Sequence, residues 1–290
     1  MKVLVTGGKG MLGRTLQNAL PGHEVFVADL PEVDILDPRA LAAAFQSFGP
    51  EAVVHCAAMT RVDDCETNRA LAYRLNEDGS RNVAVACRNA GARLIAISTD
   101  YVFSGEGGRA TGGTVGEEGW AETDSPAPRT VYGASKLAGE HAIFEELSDA
   151  TVLRIAWLYG AGGPSFVHTM ARLGAQAGEP LKVVDDQRGN PTSTKVVADE
   201  IAFLLGRRDI SGVVHGTCSG VCSWYDLAVE LFRLLGVSRT VVPCTTAAFP
   251  RPAPRPAYSA LANTVLALNG YRTPDWRNAL ETFVREEFSR

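Results

Sequence analysis

Short apolar runs alternate with helix-like segments through the first half of the chain. Helical patterns cover residues 38–48, where Asp37 precedes Pro38 as the expected N-cap, and extend from about residue 66 to 89. Strands that read as continuous apolar runs and alternate with helices indicate a parallel sheet with both faces covered. We therefore predict an α/β fold, a Rossmann-type doubly wound parallel sheet whose ligands bind beyond the carboxyl ends of its strands. The runs that predict the strands are residues 2–6, 24–29, 51–58, 92–99 and 150–160.

The second half is less regular and predicts a smaller C-terminal substrate-binding part. Ser223 is the expected cap of a helix that ends near Leu235. Residues 104–128, rich in Gly, Ser, Thr and Pro, read as a loop, and the proline-dense residues 243–261 cannot be a helix interior. Further helices are predicted at residues 166–177, 195–206 and 275–288.

These patterns divide the chain into two predicted parts. A nucleotide-binding Rossmann domain should take up residues 1–159, and the chain should return to it at about residues 191–216 and in the C-terminal helix. Residues 160–190 and 217–270 should form the part that closes over the substrate. A length of 290 residues fits one large domain or two that share a core.

Composition narrows the range of partners. The chain is 46% hydrophobic and 21% charged, with a formal net charge of −5, which is typical of a globular protein and does not favour a nucleic-acid partner. Its apolar runs are too short for a signal peptide or a membrane span, so a cytoplasmic location is expected. The six cysteines and five histidines are scattered without zinc-like spacing, so we expect reduced thiols and no metal.

A glycine-rich loop follows the first strand. The segment TGGKGMLG places Gly7, Gly10 and Gly13 between a strand and a helix, the context in which such a pattern indicates a dinucleotide. Glycine lets the backbone approach a pyrophosphate closely, and the helix N-terminus offers N–H groups to the phosphates. A glycine turn without a ligand is the alternative. The G-x-x-G-x-x-G spacing is typical of the short-chain dehydrogenase/reductase superfamily.

The choice between NADH and NADPH stays open at this level. Asp29 ends the second strand, where a carboxylate would accept hydrogen bonds from the adenosine ribose and favour NAD. A turn or helix cap explains an isolated Asp equally well. Arg14 and Arg39 are cations that could receive a 2′-phosphate instead.

Tyr132 and Lys136 are the candidate catalytic pair in the segment VYGASKLAGE. Residues four apart lie on one face of a helix, so we expect the Lys136 ammonium to lower the pKa of Tyr132. Tyr132 would then donate a proton to a developing alkoxide. Thr99 ends the fourth strand and would hydrogen-bond the substrate carbonyl, although a strand Thr without a catalytic role is the default alternative. An ordinary exposed helix pair is the alternative for Tyr132 and Lys136.

Five segments in this order resemble the dTDP-4-dehydrorhamnose reductase family of extended short-chain reductases: STDYVF, VYGASKLAGE, LRIAWLYG, VDDQRGNPTST and AFPRPAPRPAYSAL. The resemblance covers essentially the whole chain. It implies NAD(P)H-dependent reduction of the C4 keto group of dTDP-4-dehydro-L-rhamnose, a step in deoxysugar biosynthesis. It also implies NADPH or NADH as cofactor and a dTDP-sugar as substrate, and it is compatible with a homodimer.

The resemblance also implies roles for individual residues. Thr99, Tyr132 and Lys136 would be the catalytic set, and Thr99, Asp100 and Trp157 would contact the sugar. Arg255 would bind the substrate diphosphate or anchor the proline-dense segment, with a purely structural salt bridge as the alternative. The implied cofactor-binding residues are Gly7, Gly10, Met11, Leu12, Gly13, Asp29, Asp34, Ile35, Ala57, Ala58, Thr60, Tyr132 and Lys136.

The chain departs from the family pattern in two places. Residues 104–121 form a longer and more glycine-rich segment than expected, which could act as a lid and leaves the sugar specificity open. Thr15 and Lys195 stand where some members carry glutamates that share a magnesium ion between subunits, so no metal is predicted.

Two other functions remain as alternatives. One is a nucleotide-sugar epimerase or dehydratase on the same scaffold, although only Asp100 follows Thr99 where a dehydratase would carry an acidic pair. The other is a non-catalytic regulatory subunit that binds a cofactor, which an intact Thr99, Tyr132 and Lys136 set argues against.

Overall fold

The computed structural model describes residues 1–106 and 119–288. The strands are β1 (Lys2–Thr6), β2 (Glu24–Ala28), β3 (Ala52–His55), β4 (Arg93–Thr99), β5 (Thr151–Ile155), β6 (Leu158–Tyr159), β7 (Leu181–Val184), β8 (Arg188–Gly189), β9 (Thr192–Ser193), β10 (Gly212–His215), β11 (Cys222–Ser223) and β12 (Val241–Cys244). The helices are α1 (Met11–Ala19), α2 (Pro38–Phe48), α3 (Val62–Thr67), α4 (Arg69–Tyr73), α5 (Gly79–Ala90), α6 (Val131–Glu146), α7 (Phe166–Gly174), α8 (Thr194–Leu205), α9 (Trp224–Leu235), α10 (Thr264–Leu268) and α11 (Trp276–Phe288). A π-helical turn covers Arg74–Asp78, and 3₁₀ turns cover Asp100–Val102 and Thr246–Ala248.

Six parallel strands form the central sheet, in the order β10-β5-β4-β3-β1-β2. Because the strands are parallel, their carboxyl ends meet at one edge, where Thr6, His55, Thr99 and Ile155 end four neighbouring strands. From β1 the chain continues to β2 on one side and then to β3 on the other, so the strand order reverses between β1 and β3. Ligands bind at such a reversal in open α/β sheets. The predicted Rossmann-type α/β fold is confirmed.

Apolar clusters cover both faces of the sheet. One cluster packs α1, α8 and α10 onto one face, and another packs α2, α5 and α6 onto the other. Both faces of the inner strands are therefore removed from water, which explains why these strands read as uninterrupted apolar runs.

A third cluster lies outside the sheet and joins α7, α9 and α11. The C-terminal helix α11 contributes Trp276, Leu280 and Phe283 to this cluster. Phe283 also packs on Tyr159, and Val196 of α8 belongs to the same cluster, so α11 contacts both the second part and residues assigned to the nucleotide-binding part. Its apolar stripe predicts a buried face but does not say against which element that face is buried. The division into two domains at the predicted boundaries stays a prediction.

Local signals gave several element boundaries correctly. Asp37 caps α2 by accepting a hydrogen bond from Arg39 N at 2.8 Å, and Ser223 forms a capping box with Asp226 at the start of α9. The predicted helices at residues 166–177 and 195–206 correspond to α7 and α8. Of the predicted loop over residues 104–128, residues 107–118 lie outside the described part of the chain.

The helical pattern expected from about residue 66 to 89 is confirmed over residues 69–90, which are helical throughout, but the π-helical turn inside them was not expected. This region contains α3, α4, a π-helical turn and α5 in succession. The side chain of Asn76, inside the π turn, accepts a hydrogen bond from Met59 N at 2.8 Å and donates to Met59 O at 3.1 Å and Ser135 Oγ at 2.9 Å. Single π turns inside helices often occur near functional sites, and this one ties α6 to the end of β3.

Within residues 1–106 and 119–288, no helix has both the length and the apolar character needed to cross a bilayer.

Candidate active site

A cavity of about 1150 Å³ opens at the carboxyl edge of the sheet and continues beneath the second part of the chain. Every residue that the sequence predicted to contact cofactor or substrate lines this cavity: Gly7, Gly10, Met11, Leu12, Gly13, Asp29, Asp34, Ile35, Ala57, Ala58, Thr60, Thr99, Asp100, Tyr132, Lys136, Trp157 and Arg255. The fold thus brings them to one site, while their individual roles stay predictions.

The glycine loop packs too tightly for side chains. Gly7 has a φ of +66°, and a Cβ there would lie 2.6 Å from Ala57 N. A Cβ on Gly13 would lie 2.5 Å from Gly7 O. Only glycine allows this close approach between the loop, α1 and the end of β3.

The start of α1 fits a dinucleotide phosphate. No side chain caps this nine-residue helix at Gly10, and the residues of its first turn line the cavity. Helix N-termini without a capping side chain present N–H groups that bind phosphate oxygens. The residues present therefore fit the pyrophosphate of a nicotinamide dinucleotide.

Asp29 braces the glycine loop. Its carboxylate accepts hydrogen bonds from Lys9 N and Leu30 N, both at 2.8 Å. This is the turn-capping alternative considered from the sequence, and it does not exclude a ribose contact because Asp29 also lines the cavity. Neither Arg14 nor Arg39 is among the cavity-lining residues of the described chain. The Arg14 guanidinium instead donates to Lys9 O at 2.8 Å.

The inner end of the cavity is formed by the end of β4 and the start of α6. Thr99 Oγ1 donates to Asp100 Oδ1 at 2.9 Å and accepts from Tyr101 N at 3.2 Å. Thr130 caps α6 by accepting from Gly133 N at 3.0 Å, which directs the first turn of the helix, with Tyr132, towards the strand end. A Cβ on Gly133 would lie 2.1 Å from Tyr101 O, so glycine allows α6 to approach β4 this closely.

Burial raises the pKa of Tyr132 above its ordinary value, and a hydrogen bond with Thr99 opposes this rise only in part. The lowered pKa expected from the spacing of Tyr132 and Lys136 is therefore wrong for this structure. The desolvation of the phenolate raises its free energy by more than the hydrogen bond with Thr99 lowers it. Tyr132 is consequently a neutral phenol, the form that can donate a proton.

Lys136 is buried with its ammonium directed at the sheet. Its Nζ donates to Ile97 O at 2.8 Å, and burial lowers its pKa to about 8, against the opposing charge of Glu140. Glu140 itself forms a buried ion pair with Arg154, in which Arg154 Nη2 lies 2.6 Å from Glu140 Oε2. Ser98 also hydrogen-bonds Glu140. A polar network that the sequence did not reveal therefore lies directly behind Lys136.

Asp100 is an acid held in a largely dry site. Burial raises its pKa to about 6, although the hydroxyls of Ser259 and Thr99 favour the charged form. Its Oδ2 atom makes no hydrogen bond of normal geometry within the described part of the chain. Because Asp100 lines the cavity, its carboxylate is suited to accept a hydrogen bond from a ligand hydroxyl.

Trp157 and Arg255 line the cavity from the substrate side. Trp157 follows β5 with a φ of 45°, and its indole stacks on that of Trp224. Arg255 donates to Asp63 Oδ2 at 2.7 Å, so the proline-dense segment is fastened to α3. Arg255 thus both anchors its segment and faces the cavity, the two readings that the sequence left open.

Several cavity residues were not predicted from the sequence. Tyr101 packs edge-on against Tyr132 with ring centroids 5.5 Å apart. Its place directly after Thr99 and Asp100 was the one available signal. Gln187, Arg251 and Ser259 also line the cavity and lie within segments that carry the family resemblance, whereas the lining residues Phe166, Lys182 and Trp224 carried no such signal.

The positions considered for a shared magnesium ion are engaged within the chain. Thr15 Oγ1 donates to Thr194 Oγ1 at 2.8 Å, and Lys195 Nζ lies 3.4 Å from Asp199 Oδ2. Across residues 1–106 and 119–288, no cluster of three or more His, Cys, Asp or Glu side chains is arranged to hold a metal ion.

Comparison with known proteins gives concordant matches. Residues 1–288 match the family described as the RmlD substrate binding domain. The chain is 44% identical over 286 residues to a dTDP-4-dehydrorhamnose reductase of Streptomyces griseus, covering 96% of this chain and 91% of that protein. It is also 44% identical over 285 residues to a probable dTDP-4,6-dihydroxy-2-methyloxan-3-one 4-ketoreductase of Streptomyces antibioticus, covering 97% and 93%. The structure of a Bacillus anthracis dTDP-4-dehydrorhamnose reductase in complex with NADP superposes with a TM-score of 0.92 at 38% identity, covering 98% of this chain and 99% of that chain.

Proposed function

The chain belongs to the RmlD substrate binding domain family, and from that premise we infer that it is an NAD(P)H-dependent dTDP-4-dehydrorhamnose reductase. It reduces the C4 keto group of dTDP-4-dehydro-L-rhamnose to give dTDP-L-rhamnose, a deoxysugar precursor. The observation that carries this function is that one cavity joins the glycine loop to Thr99, Tyr132 and Lys136.

Tyr132 is the proposed proton donor. When bound, the nicotinamide cofactor supplies the hydride for the carbonyl carbon of the sugar. Thr99 is the last residue of β4 and hydrogen-bonds Tyr132. Its hydroxyl would hydrogen-bond the carbonyl oxygen and orient it. An alkoxide is a stronger base than a phenolate, so a buried neutral Tyr132 can still protonate the oxygen on which negative charge develops.

Lys136 supports that proton transfer by its charge. With a pKa of about 8, it is mainly protonated at neutral pH, and Glu140 one helical turn away favours the charged form. We assign the Lys136 ammonium to the nicotinamide ribose. A positive charge there would stabilise the phenolate that Tyr132 leaves after donating its proton.

The remaining cavity residues are assigned by the part of the ligand they face. Gly7, Gly10, Met11, Leu12 and Gly13 would surround the pyrophosphate, at the uncapped start of α1. Asp100 and Trp157 would contact the sugar, and Arg255 the diphosphate. The assigned adenosine and cofactor-wall residues are Asp29, Asp34, Ile35, Ala57, Ala58 and Thr60.

The identity of the sugar needs a direct measurement. Two relatives equally identical to this chain bear the names of reductases for different dTDP-4-keto sugars. Enzymatically made dTDP-4-dehydro-L-rhamnose should be reduced with NADPH or NADH, followed as loss of absorbance at 340 nm. A purified protein that retains NAD and interconverts nucleotide-sugars without consuming added cofactor would instead be an epimerase or dehydratase.

Tyr132→Phe tests the mechanism with the cavity shape preserved. Loss of a positioned general acid should lower kcat by roughly 10²–10⁴-fold. Tyr225→Phe is the matched control, because Tyr225 lies on α9 and is not among the described residues that line the cavity. Turnover by Tyr132→Phe near the wild-type rate would refute the proposed role. The homodimer and the cytoplasmic location stay predictions.

A further inference from the structure

Trp157 holds an unusual backbone conformation at the edge of the cavity. It is the one non-glycine residue in the described chain with a positive φ, at 45°. For a bulky side chain this region is an outlier, and such conformations persist only where surrounding groups over-determine them. The neighbours of Trp157 should therefore include groups that hold it in place.

The Trp157 indole is confined on several sides. Its ring stacks on the Trp224 ring at a centroid distance of 3.6 Å and an interplanar angle of 3°. Its Nε1 donates to Ser259 Oγ at 3.2 Å. A Cβ on Gly189 would lie 2.5 Å from Trp157 Cε2, so only glycine leaves room for the ring. The stack on Trp224 is a face-to-face contact between two indole rings.

Trp224 is itself fixed before it meets Trp157. It is the first residue of α9, whose start is set by the capping box of Ser223. Its Nε1 donates to Gln187 Oε1 at 3.0 Å, and the Gln187 amide in turn donates to Thr246 Oγ1 at 2.9 Å. Phe166 packs on the Trp224 ring with centroids 4.7 Å apart. An aromatic ring held by these contacts in the second part of the chain thus stacks on Trp157, two residues beyond the end of β5.

We propose that Trp224 is a positioning residue, which holds the Trp157 indole in the orientation that receives the sugar of the nucleotide-sugar substrate. This inference rests on the proposed function, in which Trp157 contacts that sugar. Because α9 carries Trp224 and β5 leads into Trp157, the stack also fixes the second part of the chain relative to the sheet edge. Loss of the stack should therefore affect the sugar end of the site and leave the glycine loop unchanged.

The test compares Trp224→Leu with Trp224→Phe in the full chain. Small displacements of a positioning group can cost up to about 100-fold, so kcat/KM for dTDP-4-dehydro-L-rhamnose should fall about 10- to 100-fold in Trp224→Leu. The KM for NADPH should stay unchanged. Trp224→Phe keeps an aromatic face for Trp157 and should lose less than about tenfold. Tyr225→Phe is the control, since Tyr225 neighbours Trp224 on α9 but is not among the described residues that line the cavity.

A spectroscopic measurement tests the positioning without relying on turnover. The chain has four tryptophans, so labelling with 5-fluorotryptophan should give four ¹⁹F resonances, each assigned by substitution. In Trp224→Leu the Trp157 resonance should shift and broaden, while those of Trp120 and Trp276 stay in place. In Trp224→Phe the Trp157 resonance should shift but remain a single line.

Each outcome decides the proposal. An unchanged Trp157 resonance in Trp224→Leu overturns it, as does a loss of kcat/KM in Trp224→Phe as large as in Trp224→Leu. If Trp224→Leu does not fold, Trp224→Phe decides alone: a Trp157 resonance that does not shift, or a loss of kcat/KM beyond about tenfold, overturns the proposal. A wild-type protein that does not reduce the sugar would defeat the proposed function instead, and the ¹⁹F spectra would still test whether Trp224 positions Trp157.

Discussion

Asp100→Asn should stabilise the fold while it removes a candidate substrate contact. Burial raises the pKa of Asp100 to about 6 from an ordinary value of 3.8. The difference is about two pKa units, and each unit corresponds to about 1.4 kcal/mol, so ionised Asp100 destabilises the folded state by about 3 kcal/mol. An asparagine keeps an acceptor for the Thr99 hydroxyl and carries no charge to desolvate.

The sign of the effect follows from proton binding. The folded state binds a proton at Asp100 more tightly than the unfolded chain does, so the free energy of unfolding falls as pH rises from about 4 to 6. Above pH 6 this loss is complete. The advantage of Asp100→Asn should therefore be close to zero near pH 4 and approach about 3 kcal/mol at pH 7.

Guanidinium unfolding monitored by circular dichroism at pH 4, 5, 6 and 7 measures this difference. Asp209→Asn is the control with the opposite sign, because a hydrogen bond from Arg207 lowers the pKa of Asp209 to about 2. That variant should be less stable than wild type at pH 7, and its deficit should change little down to pH 4 and shrink only in more acidic solution, where Asp209 is protonated. If the stability difference for Asp100→Asn does not grow between pH 4 and 7, the pKa of Asp100 is not raised in the folded protein and the argument from burial is refuted.

Three further changes test other buried contacts. Glu200 is fully buried with both carboxylate oxygens unpartnered among the described residues, so Glu200→Leu should raise the free energy of unfolding at pH 7 by about 1–3 kcal/mol, and a loss of stability in guanidinium would contradict this. Gly133→Ala would place a Cβ 2.1 Å from Tyr101 O, so α6 must shift and kcat/KM should fall by about 10²-fold; near-normal kinetics would show that α6 can move freely. Asp63→Ala removes the acceptor of Ala253 N–H at 3.2 Å, so hydrogen exchange should quicken in the peptide around Ala253 and not in α2.

Features set by neighbouring residues could be predicted from the sequence. The cap of α2 at Asp37, the cap of α9 at Ser223 and the glycine loop all depend on a few adjacent positions, and the structure has them where expected. The parallel sheet follows from the apolar strands between helices. The convergence of all predicted site residues on one cavity then follows from the sheet, because parallel strands end at one edge.

Features set by distant contacts could not be predicted. The π turn depends on the Asn76 side chain, which bonds Met59 and Ser135 across 17 and 59 residues of sequence. From the sequence, Trp224 was an ordinary first residue of a capped helix. Only the stacking of its ring on Trp157, which is distant in sequence, places it in the site. The packing partners of α11 could not be predicted for the same reason, since an amphipathic pattern does not identify the element that covers it.

The pKa of Tyr132 shows where reasoning from spacing stops. Positions four apart place Tyr132 and Lys136 on one face of α6, which the sequence determines. They do not determine the partner of the ammonium, which in the structure is Ile97 O, or how much water reaches the phenol. Burial therefore shifts the two pKa values in the directions that favour the neutral forms, upward for Tyr132 and downward for Lys136. A ligand that brings a developing negative charge into this dry site would interact strongly with both groups, so the same burial that disfavours the phenolate also strengthens the proposed catalytic contacts.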